Sequence, residues 1–265
     1  MSGISIIGCG WLGLPLGKAL AESGYTVKGS TTTESKLATI AEHEIIPVLA
    51  DFSKDVNQEA LVQLTHCDVA IITVPFSRKK TAEENKALYK RIAGTLSLEG
   101  VERVIMISST SVYDDESGVY TESDALETHP LRECERYFLD QFPSALVIRF
   151  SGLIGPMRHP GKFLAGRKDL PGPLHPVHLI HQADCIGLIA HCIEHRIEDT
   201  LNACMPDSMS RKEFYTQAAF DLGLEPPHFD ERDLSNGRII SIARLVEEVK
   251  YTFQYTTLQQ ALAHC

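Results

Sequence analysis

The chain has 265 residues, 43% of them hydrophobic, and a formal net charge of −10, enough length for one large domain or a main domain with a smaller lobe. The acidic balance argues against a dedicated nucleic-acid binder, which presents a basic footprint, and no apolar run reaches the roughly 18 residues that span a bilayer. The opening MSGISIIGCG has no basic segment ahead of a long apolar one, so a cytoplasmic chain without a membrane partner is expected.

Short apolar runs rich in β-branched residues alternate with helical patterns. The spacing predicts strands at Ile4–Ile7, Thr26–Ser30, Pro47–Ala50, Asp68–Val74, Arg103–Ser108 and Ala145–Arg149. Helices are expected between them over Leu14–Ser23, Glu34–Glu42, Gln58–Leu64, Ala82–Leu98 and Leu131–Phe142. The runs VAIIT, VIMIS and LVIRF are nearly unbroken apolar segments, as suits parallel strands covered on both faces. This is the pattern of an α/β fold with a Rossmann-type, doubly wound parallel sheet. Residues 1–150 would form the dinucleotide-binding part, and residues 151–265 would complete it and add a small C-terminal substrate lobe.

Glycine and proline crowd into SGLIGPMRHPGKFLAGRKDLPGPLHP, which reads as loop and as a plausible cover for a substrate. A helix starting at Asp184 and a strand near Leu201–Ala203 follow. A further helix carries Ser210 and Glu213 at capping-box spacing and stops at Gly223. GRIISIARLVEEV closes the pattern with a short strand and helix, and apolar surface in this half would suit a homodimer.

The seven cysteines form no CxxC pair and read as reduced, mostly buried thiols. His175, His178 and His181 recur at threes around a proline, but no further cluster completes a ligand shell, so no metal is expected.

GCGWLG, at residues 8–13, lies directly between the first strand and the first helix. Gly8, Gly10 and Gly13, with Trp11 and Leu12 between them, make the tight turn that lets a backbone and a helix N-terminus approach a pyrophosphate. The second strand ends in Ser30, Thr31 and Thr32, where an acid would hold the ribose of NAD. Small hydroxyls leave room for a 2′-phosphate, and Lys28 or Lys36 would supply charge, so NAD(P) is the expected cofactor with NADP favoured. Asp51 and Phe52 after the third strand, and Val74, Pro75 and Phe76 after the fourth, belong to the same crevice.

GCGWLG, DF at 51–52, ISSTSVY at 107–113, IRFSGLIGP at 148–156 and HLIHQADCIGLI at 178–189 together resemble the extended short-chain dehydrogenase/reductase superfamily. That superfamily includes sugar-nucleotide epimerases and dehydratases, and the chain is most similar to an atypical branch of it. The resemblance implies that Ser109 is the catalytic hydroxyl on the substrate oxygen and that Ser151 and Gly152 border the nicotinamide. It places His181 and Asp184 in a framework motif whose carboxylate caps the next helix.

The family's reactive tyrosine, with a lysine four residues later, is missing from ETHPLRECERYFLDQ. Tyr113 and His129 are the candidate substitutes for proton transfer, and Arg132 for the lysine's positive charge. Two functions follow as expectations. One is an NAD(P)-dependent oxidoreductase or epimerase working on a small hydroxylated or nucleotide-linked substrate. The other is a non-catalytic NAD(P)-binding regulator that signals to a protein partner.

Overall fold

The computed structural model describes residues 2–265. In chain order its first elements are β1 (Gly3–Ile7), α1 (Gly13–Glu22), β2 (Thr26–Thr31), α2 (Leu37–Ala41) and β3 (Ile46–Leu49). Then come α3 (Gln58–Thr65), β4 (Val69–Ile72), α4 (Ala82–Leu98), β5 (Val104–Ser109) and β6 (Gly118–Tyr120). The chain continues with α5 (Pro130–Gln141), β7 (Leu146–Phe150), β8 (Gly152–Ile154), α6 (Gly161–Leu164), β9 (Leu179–His181) and α7 (Gln182–Glu194). It ends with β10 (Asp199–Ala203), α8 (Arg211–Asp221), β11 (Arg238–Ile240), α9 (Ala243–Glu247) and α10 (Leu258–Leu262).

Two compact units share this chain. The first contains the residues up to Ser108, Glu127–Arg149 and Ile189–Thr200, and the second contains Ser109–Leu126, Phe150–Leu188 and Leu201–Cys265. Residues 109–126 fall in the second unit, and residues 189–200 fall in the first. The return of 189–200 has a local reason: the Asp199 N–H donates to Ala145 O at 2.8 Å, just ahead of β7.

The first unit is organised by a seven-stranded sheet of order β10-β7-β5-β4-β1-β2-β3. β1 pairs with β2 and β4 in parallel, as do β2 with β3 and β4 with β5. The order reverses between β1 and β4, and in open α/β sheets ligands bind outside the carboxyl ends of the strands at such a switch point. All four residues of β4 are buried, as expected of a central parallel strand with both faces covered. α1 buries Gly13, Leu16, Gly17 and Leu20, one face at helical spacing. α4 starts from a full capping box, Thr81 with Glu84.

Within the second unit, β6 pairs in parallel with β11, and β8 with β9. Ile154, Val177, Leu179, Met205, Phe214 and Leu258 are among the buried residues of its core. The capping box of Ser210 and Glu213 on α8 is formed as the sequence predicts, and Gly223 has the positive φ, 65°, of a helix stop. The Asp184 carboxylate, by contrast, does not cap a helix. It accepts the Gln254 N–H at 2.6 Å, the Tyr255 N–H at 3.2 Å and the Tyr251 hydroxyl at 3.1 Å, and so anchors the C-terminal segment. His181 takes the capping role, its Nδ1 accepting the Ala183 N–H at 3.1 Å.

Candidate functional site

A concavity is present in each unit. In the first, a cavity of about 260 Å³ opens where β1, β2, β3 and β4 end. Gly8, Gly10, Ser30, Thr31, Thr32, Asp51, Phe52, Val74 and Pro75, predicted from sequence, all line it. Lys36 lines it too, whereas Lys28 is held elsewhere by a 2.8 Å hydrogen bond to His66 O. Trp11, Leu12, Gly13 and Phe76 are not among the lining residues.

The three glycines of the turn have different physical reasons. Gly8 has φ +108°, a conformation that side chains rarely adopt. A Cβ on Gly13 would lie 2.2 Å from Gly8 O, so this glycine lets α1 pack onto the turn. A Cβ on Gly10 meets nothing within 4 Å, and its φ is not positive. Nothing inside the described residues therefore requires glycine at position 10; the open volume above it is what a close-approaching ligand would fill. The start of α1 fits the same ligand. Its N-cap residue, Leu12, makes no side-chain cap and its first turn holds no acid, which leaves the helix N-terminus suited to an anion. These residues fit a dinucleotide pyrophosphate.

Several supports of this pocket were not evident in the sequence. The Thr73 hydroxyl donates to Gly8 O at 2.6 Å and so fixes the turn from the end of β4. The Tyr89 hydroxyl donates to Val74 O at 2.6 Å. Lys80, in the loop after β4, adds a second cation to the lining. Asp51 accepts the N–H and hydroxyl of Ser53, which hold its carboxyl below the usual range. Cys9 lines the pocket as well, but burial pushes its thiol up to about 12, so it is no nucleophile. All seven cysteines are free thiols.

In α5 the candidates for the missing tyrosine and lysine are occupied otherwise. His129 is the N-cap, its Nδ1 accepting the Leu131 N–H at 3.2 Å, and burial lowers its pKa. Arg132 pairs with Glu127 at 3.1 Å and Glu135 at 3.2 Å. Glu135 is among the buried residues of α5, with Leu131, Cys134 and Phe138. It is fully buried beside an equally buried Arg149, with 2.7 and 3.0 Å contacts between them, and it accepts the Ser108 hydroxyl at 2.6 Å. The guanidinium compensates the carboxylate, which is why a charge tolerates that position.

The second unit holds a larger cavity of about 540 Å³, lined by Ser109, Ser111, Gly152, His175, Arg211 and Arg238 among others. Ser109 Oγ accepts the Ser111 N–H at 3.1 Å, which leaves its own hydrogen to donate. Arg238 is braced by Tyr113 O, Asp114 O and the Asp115 carboxylate at 3.0, 3.1 and 2.9 Å. Tyr113 is not among the lining residues: it is buried and donates to Asn202 Oδ1 at 2.6 Å. Ser151 is buried, and its hydroxyl has no hydrogen-bond partner among the described residues.

The three histidines spaced at threes are separated by their partners. His175 Nε2 meets Ser235 Oγ, His178 Nε2 accepts the Ile240 N–H at 3.1 Å, and His181 serves the cap described above. No group of three metal-ligating side chains exists among the described residues. Burial, helped by Arg238, lowers the His178 pKa to about 4. The unfolded chain, with a histidine pKa near 6.5, then binds more protons than the folded one. The contribution of His178 to stability is accordingly complete above about pH 6.5 and is lost as pH falls toward 4. Urea midpoints measured across that window should fall less steeply in His178→Gln than in the parent chain.

The first half of the chain, residues 4–142, matches the model of the NAD dependent epimerase/dehydratase family. Protein YeeZ of Escherichia coli strain K12 is 34% identical over 268 residues, covering 96% of this chain and 97% of that protein. Among solved structures, MoeE5 in complex with UDP-glucose and NAD superposes with a TM-score of 0.78 at 19% identity, over 99% of this chain and 96% of that one. UDP-glucuronic acid 4-epimerase from Bacillus cereus, in complex with NAD, gives 0.75 at 16% identity, with the same coverages of 99% and 96%. The likeness to these structures is one of fold. No helix of the described residues is long and apolar enough to cross a membrane.

Proposed function

The chain belongs to the NAD dependent epimerase/dehydratase family, and from that premise we propose that it is an NAD(P)-dependent oxidoreductase or epimerase acting on a small hydroxylated or nucleotide-linked substrate. The observation that carries this reading is Gly10, a glycine whose added Cβ would meet no atom of the protein within 4 Å, in the lining of a pocket built from four strand ends. Gly8, Gly10 and the start of α1 would hold the pyrophosphate. Asp51 and Phe52 would meet the adenosine, and Val74 and Pro75 the middle of the molecule. When bound, the nicotinamide supplies two-electron exchange with a substrate carbon. Ser109 would donate its free hydrogen to the substrate oxygen in the larger cavity, beside Gly152. Arg238 is paired with Asp115 in the lining of that cavity, and Arg211 is the further cation there, which would suit an anionic or nucleotide-linked substrate.

The ribose end favours NADP. Ser30, Thr31, Thr32 and Thr33 line it without a carboxylate, and Lys36 and Lys80 supply positive charge. Calorimetry with NAD, NADH, NADP and NADPH tests this, and the NADP pair is expected to bind tighter by a margin that shrinks with salt. Equal affinities, or a preference for NAD, would remove the NADP assignment. Turnover is tested by following nicotinamide absorbance with UDP-glucose, UDP-glucuronic acid and a panel of simple alcohols. Ser109→Ala should lower kcat by about 100-fold, the loss typical of a general acid–base or polarising contact, with dinucleotide affinity unchanged. Unaltered kcat in that variant would take Ser109 out of the chemistry. Binding without any turnover would favour a regulatory role instead.

A further inference from the structure

The tyrosine–lysine pair is absent from α5, Tyr113 gives its hydroxyl to Asn202, and His129 caps a helix. A different proton carrier is visible in the second unit. His175 lines the same cavity as Ser109. Its Nε2 lies 2.7 Å from Ser235 Oγ, and Ser235 Oγ donates to Asp233 Oδ1 at 2.5 Å. A serine has one hydrogen, and here the carboxylate receives it. The Oγ must then accept at its other contact, so His175 Nε2 carries the proton it shares with Ser235. In the neutral ring that leaves Nδ1 as the lone pair, and Nδ1 has no hydrogen-bond partner among the described residues.

The relay is held on every side. Asp233 Oδ1 also accepts the Ser235 N–H at 3.0 Å, and Oδ2 accepts the Gly172 N–H at 2.7 Å. These bonds keep the carboxyl ionised, with a pKa of about 2. The imidazole itself sits in a slot between two glycines of positive φ. A Cβ on either Gly172 or Gly237 would come within 2.6 Å of the ring. The charged and titratable groups around it are Asp233, Arg211 (whose N–H donates to His175 O at 2.8 Å), Arg238 with its partner Asp115, and His178.

We propose that His175 is the acid–base residue of this protein, with Ser235 and Asp233 as positioning residues that fix its tautomer. The assignment rests on the oxidoreductase or epimerase reading above. In the oxidative direction the substrate O–H bond breaks and its proton passes to His175 Nδ1. A bound nicotinamide dinucleotide would take the C–H hydrogen with its electron pair, leaving the carbon–oxygen double bond. The imidazolium formed is stabilised through Ser235 by the Asp233 carboxylate. The reverse direction returns the same proton from Nδ1. Such a relay explains how a chain of this family works without the missing tyrosine.

The first test needs no substrate. Ring-¹⁵N spectra of the full chain, with His175 assigned by its loss in His175→Gln, should show neutral His175 as the Nε2–H tautomer. Ser235→Ala should convert that signal to a mixture of tautomers. A predominant Nδ1–H tautomer in the parent chain, or no change in Ser235→Ala, would overturn the proposal. This result is independent of whether the first unit binds a dinucleotide, so the failure of one reading is distinguishable from the failure of the other. For any substrate turned over in the panel above, His175→Gln should lose at least about 100-fold in kcat. Glutamine keeps an N–H donor for Ser235, so a merely structural histidine predicts near-parental rates, and that outcome overturns the assignment. Asp233→Asn should shift the limb of the pH–rate profile that reports His175, and an unmoved limb counts against the relay.

Discussion

Gly10→Val abolishes measurable dinucleotide binding while the fold survives: this is the result we expect from the geometry of the turn. The position is exposed, its φ is compatible with a side chain, and a Cβ there meets no atom of the protein within 4 Å. Filling that space costs the apo protein little, because an exposed glycine replaced at a compatible φ loses no contacts and restricts the unfolded chain. Its urea stability should stay within about 0.5 kcal/mol of the parent. The isopropyl group occupies the volume through which a pyrophosphate must approach, so affinity should fall by at least about 100-fold, or roughly 2.7 kcal/mol. Gly13→Ala is the instructive contrast. Its Cβ would lie 2.2 Å from Gly8 O and 2.8 Å from Thr73 Oγ1, so this variant should lose stability and binding together. Calorimetry beside urea titration checks both. Undiminished binding by Gly10→Val would place the ligand somewhere other than this turn.

The largest loss of stability is expected from Glu135→Ala. Glu135 and Arg149 are both fully buried, and two contacts of 2.7 and 3.0 Å join them in a fork. Ser108 and Arg132 add bonds of 2.6 and 3.2 Å to the carboxylate. Truncating the glutamate leaves a buried guanidinium without this counter-charge and strands the Ser108 hydroxyl. Breaking such a pair costs about 3–5 kcal/mol, a large part of the roughly 5–15 kcal/mol that separates folded from unfolded domains. The double change Glu135→Met, Arg149→Met removes both charges and should recover most of the loss, since the pair's attraction is offset by its desolvation. Urea midpoints of the two variants decide the matter. A loss below about 1 kcal/mol in Glu135→Ala would mean that water or another group takes over the carboxylate's role.

The parts of the molecule that were legible in the sequence are those written in local pattern. VAII at β4 and the spacing of Leu16 and Leu20 in α1 announce their burial directly. GCGWLG identifies its turn, and Ser210 with Glu213 announces the start of α8. Glu135 was not legible, because helical periodicity ranks residues by hydropathy and cannot see a partner 14 residues away in β7. Tyr113 read as a candidate proton carrier because it follows the serine motif; its engagement with Asn202 spans 89 residues. The relay of His175 through Ser235 joins positions 60 residues apart, and its clamp is made by two glycines that look like ordinary turn residues. Lys80 and Thr73 likewise became visible only once the ends of the strands were gathered.

The alternation of the two units along the chain bears on how the protein is made. Five times the polypeptide passes from one unit to the other, at 108/109, 126/127, 149/150, 188/189 and 200/201. A ribosome that has released the first 150 residues has therefore delivered a sheet without β10, its terminal strand, and that sheet presents β7 as an open edge prone to pairing with other chains. Closure waits until about residue 203 has emerged. A gene cut near the middle would inherit neither unit whole.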